Sequence, residues 1–447
     1  MSAGGASETR PFHLQGNFAP VGQEVTAFDL PVRGAIPPEL RGGYYRNGPN
    51  PRSDTPHWFV GDGMIHAVAL EDGAARWYRN RWVRTRPFVE GDENARLVAD
   101  DGTVDRSVAK ANTHVVCHAG RILALVESSF PTELTRELET VGIHDFGGRL
   151  TTAMTAHPKL CPVTGELHFF GYGFAPPYLT YQRADARGEL VQSEVIAVPG
   201  PTMMHDFAIT ERHVVFMDLP VVFSPERLAQ GSMPYAWSDA YGARLGVMRR
   251  GGSGADVRWF EIEPCYAFHA LNAFADGERI VLDVARYPEL WRESAADFRT
   301  ARLHRFTLDL AGGSVREEAL DERGVEFPRV DPRREGRRHR FGYAVQYENG
   351  PDAPAFHALV QYDLERGSAT AHDFGPGRVP GEGVFVPAGP DAAEDAGWVL
   401  SLVYDAGRDG SELVILDATS FDKPPVARVA LPQRVPFGFH GSWIPEA

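Results

Sequence analysis

The stretch Trp398-Val-Leu-Ser-Leu-Val-Tyr404, Asp405-Ala-Gly-Arg-Asp-Gly-Ser411, Glu412-Leu-Val-Ile-Leu-Asp417 reads as strand, turn, strand. Both outer runs are short and rich in β-branched and aromatic residues. The segment between them is rich in Gly and Asp, which favour turns. The pattern recurs along the chain. Similar runs are Met64–Leu70, Thr113–Val116 into Arg121–Glu127, Leu167–Tyr172, His213–Leu219, Arg279–Val284 and Phe356–Tyr362. Turn signals fall where hairpins need them, at Asp72-Gly73, Asp101-Gly102 and Asp276-Gly277. Helical periodicity is scarce. The candidates Pro131–Val141, Pro225–Gln230 and Pro288–Phe298 read as short excursions between strands.

Many short strands without a linker block argue for one all-β domain with radial repetition. Seven blades would take about 64 residues each in a chain of this length. The expected organisation is a flexible N-terminal arm over 1–16, which is small, polar and aperiodic, and a single domain over 17–447.

Bulk composition narrows the function. The chain has 447 residues, 43% of them apolar, enough for a large core. Lys and Arg number 45 against 60 Asp and Glu, a net charge of −15. Phosphate backbones repel such a chain, so nucleic-acid binding is not expected. The basic run Arg329–Arg340 reads as a solvated loop. Cys117, Cys161 and Cys265 form no C-x-x-C pair, which fits reduced thiols in the cytoplasm. The N-terminus lacks a secretory apolar core, and no apolar stretch approaches a spanning length. The Gly251-Gly-Ser-Gly254 cluster is only a turn, and motifs such as H-E-x-x-H, G-x-S-x-G and the P-loop are absent.

Four histidines stand in unusual phrases: Thr-Ala-His157-Pro-Lys, Met-Met-His205-Asp-Phe, Ala-Phe-His269-Ala-Leu-Asn and Gly-Phe-His440-Gly-Ser-Trp. One buried histidine is more often a core residue than a ligand. Four of them, scattered in sequence and each set among apolar or small residues, make sense if the fold gathers them. Neutral imidazole is the commonest metal ligand, and an all-nitrogen site suits iron, copper, zinc or nickel. One ligand per blade, from the inner strands, would bring them to the axis. Small residues Gly438 and Gly441 beside His440 permit close backbone approach.

These phrases belong to a longer set. It includes Gly16-Asn-Phe-Ala-Pro-Val21, Tyr44-Tyr-Arg-Asn-Gly-Pro-Asn-Pro51, His57-Trp-Phe-Val-Gly-Asp-Gly-Met64 and Ala111-Asn-Thr113. It continues through Glu326-Phe-Pro-Arg329, Pro380-Gly-Glu-Gly-Val-Phe-Val-Pro387 and the closing Phe439-His440-Gly441. In this order the set resembles the carotenoid cleavage oxygenase family along nearly the whole chain. That family includes bacterial carotenoid and apocarotenoid oxygenases and is related to lignostilbene dioxygenases and the retinal pigment epithelium isomerase. The resemblance implies a seven-bladed β-propeller with a cap of loops and short helices over the iron face. It implies one Fe(II) per chain on His157, His205, His269 and His440, with O2 as co-substrate. Three glutamates would brace the ligands: Glu127 for His205, Glu326 for His269 and Glu382 for His440, leaving His157 without a carboxylate. Phe59, Phe268, Met203 and Phe439 are candidates for the wall of a substrate tunnel.

The implied function is oxidative cleavage of a conjugated C=C bond of a carotenoid or apocarotenoid to aldehyde or ketone products. The alternative is cleavage of a stilbene or phenylpropanoid alkene of the lignostilbene or isoeugenol type. A more distant one is a non-catalytic propeller that binds a partner. Lignostilbene-cleaving relatives carry a Tyr and a Lys that grip a phenol. The matching positions here are Phe88 and Val126, which removes that grip and favours the carotenoid. A lipophilic substrate also suggests transient contact with a membrane surface. No obligate protein partner is indicated.

Overall fold

The computed structural model describes residues 11–446 except 56, 93–94, 100–102, 231, 295–296 and 350–353. Its strands form a seven-bladed β-propeller. Five antiparallel sheets supply one blade each. A seven-stranded sheet supplies two more, because the strand Val315–Arg329 leaves one blade and enters the next. A separate two-stranded ribbon, Val221–Phe223 with Tyr235–Trp237, stands outside the blades.

The ring is closed twice. The last strand, Gly441–Pro445, pairs with Gly42–Pro49, and Val32–Gly34 pairs with Ala427–Ala430. Closure removes exposed sheet edges where the chain ends meet. The core follows the same logic. Seven hydrophobic clusters lie between the seven pairs of neighbouring blades. The seam between the first and last blades is filled by Tyr44, Val68 and Leu70 against Val384, Leu400 and Leu413. Inner strands are covered on both faces and read as unbroken apolar runs, such as Leu167–Tyr172. The outer strand Leu190–Val195 alternates buried and exposed positions, as a half-covered strand should.

The strand runs read from the sequence all appear as strands. Asp72 and Gly73 both have positive φ, 49° and 73°, the conformation of a two-residue hairpin turn. Asp101-Gly102 lies outside the described residues. Pro225–Ala229 is helical, with the Ser224 side chain accepting from the Arg227 N–H at its start. Pro131–Val141 is not. Thr132–Leu134 and Thr140–Ile143 are strands, and pairing of Thr132–Leu134 with Ile122–Ala124 overrides the local helix propensity. Nor is Pro288–Phe298 helical among its described residues, where Leu290 bridges Phe298.

Residues 1–10 of the expected arm lie outside the described residues. Residues 11–16 do not form an arm. Phe12–Leu14 is a 3-10 helix whose Leu14 is buried, and Phe12 packs edge-on against Phe18. The basic run is not a loose loop either. Arg329, Arg333, Arg334, Arg337, Arg338 and Arg340 each meet a carboxylate. Arg333 also donates to the carbonyls of Gly389 and Ala392. Among the described residues no helix is long and apolar enough to cross a membrane.

Candidate metal centre

Each of the four histidines sits at an innermost strand. His157, His205 and His440 occupy the turns leading into Lys159–Leu160, Phe207–Ile209 and Gly441–Pro445. His269 lies within Tyr266–Asp276, where the register shifts between Ala267 and Ala270. That bulge re-aims the side chain away from the ordinary pleat. His440 is reached through a tight crossing: a Cβ on Gly438 would lie 2.8 Å from the Gly48 Cα, and one on Gly441 2.9 Å from the Tyr45 carbonyl. Only glycine fits at either place.

The four ligand atoms all lie within 4.8 Å of one another. The Nε2 atoms of His157 and His205 are 2.9 Å apart. Two nitrogens at right angles on one metal, each about 2.1 Å from it, are about 3.0 Å apart, so this spacing suits shared coordination. Three of the rings are held from behind by carboxylates. His205 Nδ1 meets Glu127, His269 Nδ1 meets Glu326 at 2.5 Å, and His440 Nδ1 meets Glu382 at 3.0 Å. A ring that donates from Nδ1 turns the Nε2 lone pair inward. His157 has no carboxylate partner among the described residues. Its main-chain N–H instead donates to Thr155 Oγ1, and that hydroxyl donates to the His205 carbonyl.

The electrostatics suit a cation. Burial holds His157 and His440 well below the ordinary imidazole value, and the neighbouring imidazoles add to the depression. Both stay neutral and able to ligate. Burial also pushes His269 down, but the Glu326 carboxylate, with Asp206 and Glu382 farther off, outweighs it and raises the value. The same negative charge favours a metal ion on Nε2. His269 Nε2 is buried without a hydrogen-bond partner. An orphaned acceptor facing two lone pairs 2.9 Å apart is costly unless a cation sits among them. The residues present therefore fit a divalent metal.

Several contributors were not singled out in the sequence. His114 is buried, with its ring 5.2 Å from that of His440, and its Nδ1 pairs with the Ala156 carbonyl at 2.8 Å. It steadies the peptide before His157, and it directly follows the matched Ala111-Asn-Thr113. Tyr172 donates to Glu127, and Tyr287 donates to Glu326 at 2.8 Å. No sequence signal marks either tyrosine, because each lies on a strand remote from its glutamate.

Beside the four rings lies a cavity of about 320 Å³. Phe59, Phe268, Met203 and Phe439 all line it, as does Val126. Phe268 stands edge-on to His205 at 5.0 Å, and Phe59 edge-on to Phe439 at 5.3 Å. Phe88 does not line it. Its ring lies under the Arg52 guanidinium at 4.1 Å and 6.0 Å from Trp82. The helix Arg86–Glu90 ends at Gly91, and the chain meets the cavity only later, at Leu97. Other polar groups reach the wall: Tyr172, Tyr235, Tyr287, Tyr347 and Arg106.

Known proteins share this fold and sequence. Residues 18–445 match the family model described as retinal pigment epithelial membrane protein. The chain is 41% identical to the carotenoid cleavage oxygenase of Mycobacterium tuberculosis over the whole of both chains. Its fold superposes on the lignostilbene dioxygenase of Pseudomonas brassicacearum with a TM-score of 0.89, at 31% identity, covering 98% of this chain and 100% of that one. It also superposes on cobalt-substituted apocarotenoid oxygenase from Synechocystis with a TM-score of 0.84, at 28% identity, covering 96% of this chain and 97% of that one. With the propeller, the four converging histidines and these relatives in hand, the chain belongs to the carotenoid cleavage oxygenase family and is an oxidoreductase of that family.

Proposed function

We propose that this chain is a non-haem Fe(II) dioxygenase that cleaves a conjugated C=C bond of a carotenoid or apocarotenoid. Both atoms of O2 enter the products, one in each new aldehyde or ketone. The observation that carries the reading is the set of four imidazoles whose ligand atoms lie within 4.8 Å, three of them braced by carboxylates, opening on a largely apolar cavity. The relative from Mycobacterium tuberculosis, named a carotenoid cleavage oxygenase, supports the substrate class.

His157, His205, His269 and His440 would hold the metal. Four neutral imidazoles would leave an iron(II) ion its full charge, and that ion would supply the electrons that dioxygen chemistry needs. The protein's own part is orientation. Glu127, Glu326 and Glu382 fix the tautomer and direction of three rings. Phe59, Phe268 and Phe439 form a slot that aligns a flat polyene, and Met203 fills the remaining irregular space. Their apolar surfaces keep bulk water from the reacting bond. No side-chain acid or base is required. Three unpaired cysteines suit a reducing compartment, which favours the cytoplasm.

A second reading, cleavage of a stilbene, draws support from the likeness to lignostilbene dioxygenase and from the hydroxyls in the wall. Aerobic incubation of iron-loaded protein with carotenoids, apocarotenals and hydroxystilbenes, read by mass spectrometry, tests both. A pair of apocarotenoid fragments, each with one oxygen atom gained, is expected. Benzaldehyde-type products alone would transfer the assignment to the second reading, and no cleavage of any alkene would refute the first and the second.

A further inference from the structure

Among the described residues, one cation interrupts the cavity wall. Arg106 lines the cavity and is half-buried there. Its Nη1 donates to the Ser128 carbonyl at 3.0 Å. No carboxylate faces it among the described residues, whereas nearby Arg86 has Asp105 and Arg329 has Glu382. Only burial acts on its guanidinium, pushing its pKa below the ordinary value. A guanidinium carries five N–H donors in a fixed fork, so most of this fork is uncommitted. Nη2 would lie 3.9 Å from a Cβ on Gly173, so that glycine leaves room beside the fork.

Three tyrosine hydroxyls of the wall are already engaged. Tyr172 donates to Glu127, Tyr287 to Glu326, and Tyr347 accepts from the Ala301 N–H at 2.8 Å. The wall also has a direction. Ser128 follows Glu127, which braces His205. On the side of His269, Phe327 and Phe356 bring rings 6.2 Å apart to the wall, and Phe327 stacks on His269. The cation therefore lies on the Glu127–His205 side of the centre, and the Phe327 and Phe356 rings lie on the His269 side.

We propose that Arg106 selects substrates that carry an anionic oxygen terminus on the conjugated alkene, and that this terminus lies on the Glu127–His205 side of the centre. The inference rests on the alkene-cleaving reading above. A partly desolvated guanidinium gains most from an acceptor that bears charge and can take two N–H bonds, so a carboxylate suits it best. A hydrocarbon end would leave the cation without a partner.

The test separates binding from turnover. Three polyenes of equal conjugated length, ending in a carboxylate, an aldehyde or a methyl group, are titrated anaerobically into metal-loaded protein. A second arm uses 4-carboxystilbene against 4-methylstilbene. Binding is read by quenching of protein fluorescence, to which Trp58 in the wall contributes. Hydrogen bonds to charged groups lead us to expect a preference of about 10- to 100-fold for the carboxylate over the methyl end. The arm that shows it identifies the scaffold. Arg106→Met should bring the ratio close to one, and Arg106→Lys should keep part of it. Equal affinities in the unaltered protein overturn the inference, as does a preference that survives in Arg106→Met. Unaltered protein decides the first point even if a variant fails to fold. A protein that shows the preference but cleaves nothing in air refutes the functional reading and leaves Arg106 as a binding determinant.

Discussion

The carboxylate of Asp206 accepts a hydrogen bond from the backbone N–H of Ala270 at 2.9 Å, so the residue after His205 grips the residue after His269. The same carboxylate meets Lys159 Nζ at 2.9 Å, two positions beyond His157. It also accepts from its neighbouring Phe207 N–H at 2.8 Å. One buried side chain thus joins the segments of three histidines that are far apart in sequence. Removing it leaves the half-buried Lys159 ammonium and the Ala270 N–H without their partner, which costs about 1 to 3 kcal/mol. Asp206→Ala should lower the thermal midpoint strongly and cut metal per chain, measured by calorimetry and elemental analysis. Asp206→Asn keeps an acceptor for Ala270 and should fall between. Unaltered stability and metal content in Asp206→Ala would contradict this account.

The four imidazoles should each be needed. Each His→Ala change at 157, 205, 269 or 440 removes one donor and should strip iron or activity. A protein with all four replaced that still binds one iron per chain would show that the metal lies elsewhere.

The bracing glutamates should show smaller effects. Glu382→Gln keeps the shape but weakens its bond to His440 Nδ1, and changes of this kind cost about 10- to 100-fold in metal affinity or activity. Glu127→Gln and Glu326→Gln should behave alike, with the tyrosine contacts retained. Metal titrations on all three variants check this, and affinities equal to the unaltered protein would remove the bracing role.

Substrate choice should ignore Phe88 and respond to Val126. Phe88 lies outside the cavity, so Phe88→Tyr should leave the ratio of apocarotenal to hydroxystilbene cleavage unchanged and shift stability within about 0.5 kcal/mol. Val126→Lys puts an ammonium into the wall and should shift the ratio toward the hydroxystilbene. Circular dichroism must show native folding for the comparison to stand.

Acid should destabilise the protein through histidines remote from the metal. Burial holds His168 down to about 3 and His339 down to about 4, with neighbouring arginines adding to both depressions. Above pH 6.5 each ring is neutral in the folded and the unfolded chain, and stability is fully present. As pH falls, the unfolded chain takes up protons that the folded one refuses. Stability is then lost at about 1.4 kcal/mol per pH unit per histidine until the folded value is reached. Calorimetric midpoints from pH 8 to pH 4.5 should drop below 6.5, less steeply in His168→Gln. A flat profile would refute the assignment.

The strands were legible because their evidence is local. A run such as Glu412–Asp417 declares itself by β-branched residues, and Asp72-Gly73 by the positive φ its turn requires. The four histidine phrases were legible through family resemblance, and the structure brings them together. Misreadings arose where a distant partner decided the outcome. Thr132–Leu134 became a strand because Ile122–Ala124 offered it hydrogen bonds. The basic run was absorbed by carboxylates far along the chain, such as Asp276, Asp363 and Glu394. Phe88 turned aside because Gly91 ends its helix before the chain reaches the cavity. The sequence by itself therefore determined the strand pattern and the turns, since steric preference and side-chain period act over a few residues, and the resemblance marked the four histidine phrases. Only the closed ring decided that Asp206 ties three histidine segments and that Arg106 faces the cavity with no carboxylate opposite it among the described residues. Those contacts join residues brought together by blade packing, and no local rule encodes them.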